Sequence, residues 1–262
     1  MKDVEQDARV TRMSFETDSG EGARARIGLL VLETDQTVEA EFRKFTDLPG
    51  VAVYHARLPM DVTVTPETLA RMADELPRAA GLIPEYLGIK SLGYACTSAA
   101  TVIGEDRVAE ILGKAHPNVP STNPLTAAKA ALKEMGVKRL GLLTPYTPDV
   151  TLAMQAKFDE AGIAVTVVGS FYEDSDAVVG TISEASILKS TIEVGQSDDV
   201  DGVFISCTSL RGANIIEAAE EKLGKPVTAS NHALAWHLMR LAGVDDVQDG
   251  FGRLYHLGLS EE

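Results

Sequence analysis

The chain has only two cysteines, and both stand in the same tripeptide: Cys96-Thr97-Ser98 recurs as Cys207-Thr208-Ser209, 111 positions further on. Two other stretches repeat at nearly that offset and in the same order. Gly28-Leu29-Leu30 returns as Gly141-Leu142-Leu143, and Gly50-Val51-Ala52-Val53 as Gly162-Ile163-Ala164-Val165. Gly-Leu-Leu matches easily by chance, but a motif that uses every cysteine in the chain does not. A repeat this long implies two duplicated lobes rather than a solenoid of short units.

Hydrophobic patterning supplies the content of each lobe. Short apolar runs read as strands over 27–32, 51–56, 91–95, 140–143, 163–168, 202–206 and 227–229. Helical stretches separate them, over 38–45, 65–83, 98–113, 123–136, 149–161, 183–194, 212–223 and 233–242. Thr65-Pro66 and Asn123-Pro124 are helix-opening pairs, a capping side chain followed by a proline that suits the first helical position. Strands alternating with helices of this length predict an α/β fold with parallel sheets and crossover helices. Residues 1–25 read as a polar N-terminal arm, residues 26–119 with 228–262 as the first lobe, and 120–227 as the second. Pro117, Pro120 and Pro124, and then Gly224-Lys225-Pro226, mark the crossings between lobes. The last helix, with Trp236, is expected to return to the first lobe.

Charge and motif scarcity exclude several functions. The chain carries 24 Lys and Arg against 39 Asp and Glu, a formal charge of −15. That balance argues against a nucleic-acid binder, which needs a basic face for phosphates. No run approaches the roughly 20 apolar residues of a membrane span, and the N-terminus shows no secretory signal. The expected location is therefore the cytoplasm, where two cysteines are thiols rather than a disulfide. His232 and His237 are not spaced as a helical metal pair, and no HExxH, CxxC or phosphate-binding glycine motif is present, so neither a metal nor a nucleotide cofactor is expected.

Each cysteine follows an apolar strand and precedes a helix-forming run. Parallel α/β sheets bind ligands at the carboxyl ends of their strands. A helix N-terminus there offers free N–H groups and partial positive charge, which hold a carboxylate and favour a thiolate. Thr97, Ser98, Thr208 and Ser209 add hydroxyls. A single cysteine at a strand end usually serves as a small buried hydrophobe. Two in duplicated motifs on duplicated lobes point instead to a catalytic pair facing across a cleft. Such a pair suits racemisation by two bases, or cis–trans isomerisation by thiolate addition to an alkene.

These residues resemble the aspartate/glutamate racemase superfamily, and within it the maleate cis–trans isomerase and arylmalonate decarboxylase branch. The resemblance runs from Arg26 onward. It rests on both Cys-Thr-Ser motifs, residues 28–39, Leu143-Thr144-Pro145-Tyr146-Thr147, Ile205-Ser206-Cys207-Thr208-Ser209-Leu210, and Lys225-Pro226-Val227-Thr228-Ala229-Ser230-Asn231 with Trp236. The ectoine-utilisation members of the branch are the most similar. The resemblance implies two flavodoxin-like lobes related by a pseudo-twofold axis, an active site between them, no cofactor and a homo-oligomer. It makes Cys96 the nucleophile or first base, Cys207 the opposing acid or base, and Tyr146 a substrate-binding residue, with the amides of 97–98 and 208–209 holding a small-molecule carboxylate. The isomerases of the branch carry Asn where this chain has Asp35 and Asp176. An ionised Asp only accepts hydrogen bonds. Both positions therefore favour a substrate with an ammonium, amidine or amide N–H, unless the two aspartates simply cap turns or helices. The decarboxylases of the branch keep only the cysteine matching Cys207, so two cysteines favour a racemase or isomerase. The remaining alternatives are maleate isomerisation, arylmalonate-type decarboxylation, and a two-lobed binding protein for small acids without catalysis. Arg211, after the second cysteine motif, is placed to bind a carboxylate, but a solvated or interlobe ion pair is the expected role.

Overall fold

The computed structural model describes residues 10–61 and 63–260. One sheet contains β1 (Ala25–Leu32), β2 (Val51–Leu58), β3 (Ser91–Ala95) and β4 (Ser121–Thr122). A second contains β5 (Arg139–Thr144), β6 (Ala164–Ser170), β7 (Gly202–Ile205) and β8 (Val227–Ala229). All strand pairings within the two sheets are parallel. The orders are β2-β1-β3-β4 and β6-β5-β7-β8, so one flavodoxin-like arrangement occurs twice. The helices are α1 (Val38–Phe45), α2 (Pro66–Ala80), α3 (Thr97–Ile103), α4 (Glu105–Ala115), α5 (Pro124–Glu134), α6 (Pro148–Glu160), α7 (Asp176–Val179), α8 (Glu184–Gly195), α9 (Ile216–Leu223) and α10 (Ser230–Leu241).

Strand position explains the apolar patterns. The inner strands β3 and β7 are buried along their whole length, and β1 nearly so. Covered on both faces, they read as continuous apolar runs. Edge strand β6 alternates exposed and half-buried residues, as one covered face requires. Helix starts follow their caps. Thr65 and Thr68 form a reciprocal capping box at α2, with Pro66 opening the helix. The Asn123 side chain accepts from the Leu125 and Thr126 amides at 3.0 and 3.1 Å, with Pro124 opening α5.

Several boundaries differ from the sequence expectation. The helix expected over 98–113 is two helices, because Gly104 adopts φ +92° and ends α3 before α4 begins. The helix expected over 212–223 starts with a 3-10 turn, Ala213–Ile215, before α9. Strand β4 and helix α7 are additional. β4 pairs in the first sheet, beyond the expected lobe limit at 119, and β8 pairs in the second, although 228–262 was assigned to the first lobe. The prolines explain both shifts. Pro120 and Pro226 stand in connections after helices that have already ended, α4 at Ala115 and α9 at Leu223, and their carbonyls accept hydrogen bonds. Pro120 O accepts from the Leu92 amide and Pro226 O from the Val203 amide, both at 3.0 Å. Each proline therefore opens a strand. Of the N-terminal arm, residues 1–9 lie outside the described residues; 11–20 are exposed and without regular structure. No helix among the described residues is long and apolar enough to cross a membrane.

Helix α10 packs against α5, α1 and β3, so it joins the two halves. Every residue from Ser230 to Arg240 is buried. Its contact with β3 depends on Gly93. A Cβ there would stand 2.7 Å from Leu238 Cδ1 and 3.0 Å from Leu29 Cδ1, both in fully buried side chains. Gly93→Ala is expected to destabilise the fold by about 1–3 kcal/mol through overpacking. A lowered urea midpoint with an unchanged slope checks this.

Candidate active site

Both cysteine motifs lie at the carboxyl ends of central strands, and a hydroxyl of α10 joins them. Ser230 Oγ lies 2.8 Å from Thr97 Oγ1 and accepts from the Cys207 amide at 2.9 Å. Thr208 Oγ1 donates to the Ala95 carbonyl at 3.5 Å. The two duplicated loops therefore touch, with both thiols free and buried. Their backbones differ. Cys96 caps α3, with its sulfur 3.4 Å from the Ala99 amide, so Thr97 and Ser98 occupy a first helical turn whose amides have no intrahelical acceptor. Cys207 has φ +100°, and no helix follows it until the turn at Ala213. The expectation of a helix N-terminus beside each cysteine thus fails at Cys207. That residue lies in an unfavourable region for a side chain with a Cβ, with its amide directed to Ser230.

The other expected residues gather around these thiols. Tyr146 is buried and lies within electrostatic reach of both Cys207 and Cys96. Ser98 Oγ is 3.7 Å from Cys96 Sγ. Asp35 Oδ1 accepts from the Thr37 and Val38 amides at 2.7 and 2.8 Å, capping the start of α1. Asp176 Oδ1 accepts from Ser209 Oγ at 2.6 Å. Asp35 is only 2% exposed and Asp176 5%. Asp35 Oδ2 and Asp176 Oδ2 are buried without a hydrogen-bond partner. Capping therefore accounts for one oxygen of Asp35 and for none of Asp176. The Asp176 segment also meets the first lobe, where Thr63 and Ser175 form an antiparallel bridge and the Val64 amide donates to the Asp174 carbonyl at 3.1 Å.

Electrostatics corrects the expectation of activated thiols. Burial pushes the Cys96 thiol up to about 11, with the Ala99 amide and Ser98 hydroxyl opposing it and the Asp176 charge adding to it. Burial and then the Asp176 charge raise Cys207 far above the usual thiol range. Tyr146, raised mainly by burial, keeps its proton. Burial, with the Asp176 charge, also raises Asp35 against the pull of the Val38 and Thr37 amides and the nearby Thr208 hydroxyl. The helix terminus stabilises a thiolate less than desolvation and the neighbouring carboxylates oppose it.

Three contributors carry no role in the sequence reading: Ser230 and Asn231, which belong to a motif of the resemblance, and Glu41. Asn231 Nδ2 donates to the Thr208 carbonyl at 2.7 Å and to Glu41 Oε2 at 2.8 Å. The signal for Glu41 was an acid on the apolar face formed by Val38, Phe42 and Phe45. Arg211 bonds to the Ile182 carbonyl at 2.8 Å rather than to an acid. Burial keeps His232 and His237 neutral, at about 4, in contacts with Thr228 and Thr122. Among the described residues no cluster of three His, Cys, Asp or Glu is placed to hold a metal ion. Because Asp176 opposes both thiolates, Asp176→Asn is expected to speed alkylation of Cys207 by iodoacetamide about tenfold at a fixed pH below its pKa, and that of Cys96 by less. Peptide mass spectrometry reads each rate, and unchanged rates at both would contradict the assigned charge effect.

Comparison with known proteins places this geometry. The chain is 30% identical to arylmalonate decarboxylase from Bordetella bronchiseptica over 139 residues, covering 52% of this chain and 58% of that enzyme. It is 23% identical to maleate isomerase from Alcaligenes faecalis, covering 84% of this chain and 92% of the other. The fold superposes with a TM-score of 0.79 on a Nocardia farcinica maleate cis–trans isomerase, a Cys-to-Ser mutant with a covalently bound succinylcysteine intermediate. Identity there is 25%, over 88% of this chain and 98% of that one. The arylmalonate decarboxylase family model matches residues 63–255. With its doubled parallel sheet and matching span, the chain belongs to the arylmalonate decarboxylase family.

Proposed function

We propose that this protein is a cofactor-independent racemase or isomerase acting on a small, nitrogen-bearing carboxylate through Cys96 and Cys207. The observation that carries this reading is the pair of buried, unpartnered carboxylate oxygens, Asp35 Oδ2 and Asp176 Oδ2, beside two thiols. A dicarboxylate would bring a further negative charge against them at low dielectric. A substrate nitrogen that donates to both would relieve them, while its carboxylate lies against the amides and hydroxyls of Thr97, Ser98, Thr208 and Ser209. A cationic nitrogen there also offsets the charge that opposes thiolate formation, so binding and activation are linked.

Two routes use the same residues. In racemisation, one thiolate takes the proton from the carbon next to the carboxylate, and the C–H electron pair moves into an enediolate. The opposing thiol then gives its proton to the other face, and the two sulfurs exchange roles. In isomerisation, the thiolate adds to one alkene carbon and the electron pair moves to the other. The single bond rotates, the double bond re-forms and the thiolate leaves. The Tyr146 phenol and the amides of the two cysteine loops stabilise the developing charge. The succinylcysteine of the Nocardia farcinica relative supports the covalent route as chemistry of this fold. Resemblance to ectoine-utilisation members supports a diamino acid such as N-acetylated diaminobutyrate as substrate, and a role in ectoine breakdown. Two free thiols suit a reducing compartment, the cytoplasm. The family match favours a second reading, decarboxylation of a malonate-like acid, which needs Cys207 but not Cys96.

The test is turnover in deuterium oxide with amino acids, N-acyl diamino acids, dicarboxylates and malonates, followed by NMR. Deuterium is expected at the α-carbon of a nitrogen-bearing acid, and each of Cys96→Ser and Cys207→Ser is expected to lower its rate about a hundredfold or more. Full turnover in both variants would overturn the two-thiol mechanism. Carbon dioxide release that survives loss of Cys96 would establish the decarboxylase, and equal turnover of maleate would remove the role given to the aspartates.

A further inference from the structure

One face of α1 grips the turn that follows Cys207. Thr37 Oγ1, just ahead of α1, donates to the Ser209 carbonyl at 2.8 Å. One turn on, Glu41 Oε1 accepts from the Ala213 amide at 2.8 Å. Lys44 Nζ then donates to Asn214 Oδ1 at 2.8 Å. This spacing places all three side chains on one side of the helix. Glu41 alone reaches both ends of the turn: directly at Ala213, and through Asn231 Nδ2 at the Thr208 carbonyl. Only 6% exposed, it stands on the first sheet's helix while the turn belongs to the second sheet. An acid in the first turn suits the helix dipole, but Glu39 already supplies one, and burying a second among Val38, Phe42 and Phe45 costs desolvation that its hydrogen bonds must offset.

We propose that Glu41 is a positioning residue for Cys207, holding both ends of the 208–213 turn so that Cys207 keeps its positive-φ conformation and its thiol keeps one orientation. The ionised carboxylate accepts two hydrogen bonds and needs no donor of its own. A protonated Glu41 must find an acceptor for its O–H, and Asn231 Oδ1 is buried beside it without a partner. Turning the Asn231 amide over to accept that proton withdraws Nδ2 from the Thr208 carbonyl and frees the first residue after Cys207. Burial raises the Glu41 carboxyl to about 7, against the pull of the Ala213 and Asn231 donors. The charged or titratable groups facing it are Asp35, which adds to the rise, Lys44, which opposes it, and Tyr255, which burial keeps protonated. His232, on the same turn of α10 as Asn231, is neutral near pH 7. The brace therefore loses its charge as pH falls through about 7.

This inference rests on the proposed function only in treating Cys207 as the reactive thiol. Its test reads that thiol directly, so a failed search for substrate leaves it standing. Iodoacetamide alkylation of Cys207 and Cys96 is followed separately by peptide mass spectrometry across pH 5.5–9 on the full-length protein, with and without Glu41→Gln. In the native protein the Cys207 rate is expected to depart from the unit slope of thiol ionisation near pH 7, running above it on the acid side where the turn is freed. Glu41→Gln, which cannot ionise, is expected to give a unit slope throughout. Its Cys207 rate at pH 8 should be about fivefold faster, the opening released by one hydrogen bond of ordinary net strength. Cys96 should keep the same profile in both proteins. Should Glu41→Gln fail to fold, Asn231→Ala cuts the same chain at its far end and is expected to give the same faster, unit-slope profile at Cys207. Superimposable Cys207 profiles in native and variant protein, or equal acceleration of Cys96, would overturn the proposal.

Discussion

The hydrogen bonds of one buried hydroxyl, Ser230 Oγ, to Thr97 Oγ1 and the Cys207 amide fix the spacing on which the site depends. Each sheet alone brings a cysteine only to a strand end. The two ends become one site because α10 passes between the halves with every residue from Ser230 to Arg240 buried. A helix buried all round must satisfy its polar side chains internally. Ser230 and Asn231 do so on the two cysteine loops. Farther along, Trp236 Nε1 and Arg240 Nε both donate to the Leu257 carbonyl at 3.0 Å, which holds the C-terminal segment against the same helix. Packing of the core and alignment of the thiols are thus one event.

Burial also sets the electrical problem of the site. The two thiols, Asp35, Glu41 and Tyr146 share a region where ionisation is opposed by desolvation. Asp35 and Glu41 reduce that opposition by accepting amide hydrogens, while Asp176 accepts the Ser209 hydroxyl. The remaining oxygens of Asp35 and Asp176 have no such relief. Unpartnered acceptors therefore stand next to unionised thiols. The protonated thiols follow directly, since a thiolate added to two nearby carboxylates would be a further like charge at low dielectric.

The duplicated motif does not give duplicated geometry. Cys96 is an ordinary helix cap, whereas Cys207 carries a positive φ and is followed by a turn tied to α1 and α10. The same tripeptide takes two backbones because different elements cover it. The first motif runs straight into α3, but the second must reach back to the other sheet through Ser209, Ala213 and Asn214. The near-symmetry of the fold is therefore broken at the two thiols.

By itself the sequence determined the duplication, the parallel α/β class, most strand and helix positions, and the place of both cysteines at strand ends. All of these follow from short-range patterning, from caps such as Thr65 and Asn123, and from one repeated rare residue. Its lobe limits fall a few residues from the sheet boundaries, because a proline in a connection still offers its carbonyl to a neighbouring strand, as Pro120 and Pro226 do. It read a single helix through Gly104, where φ +92° permits a break. It gave Glu41 no role and expected lowered thiol pKa values, since neither depth of burial nor a partner 172 residues away is visible in local sequence. Only the tertiary structure decided which acids surround the thiols, which of their oxygens stay unpartnered and how the Cys207 turn is braced. Those properties come from desolvation and long-range contacts, which exist only once the two sheets have closed on α10.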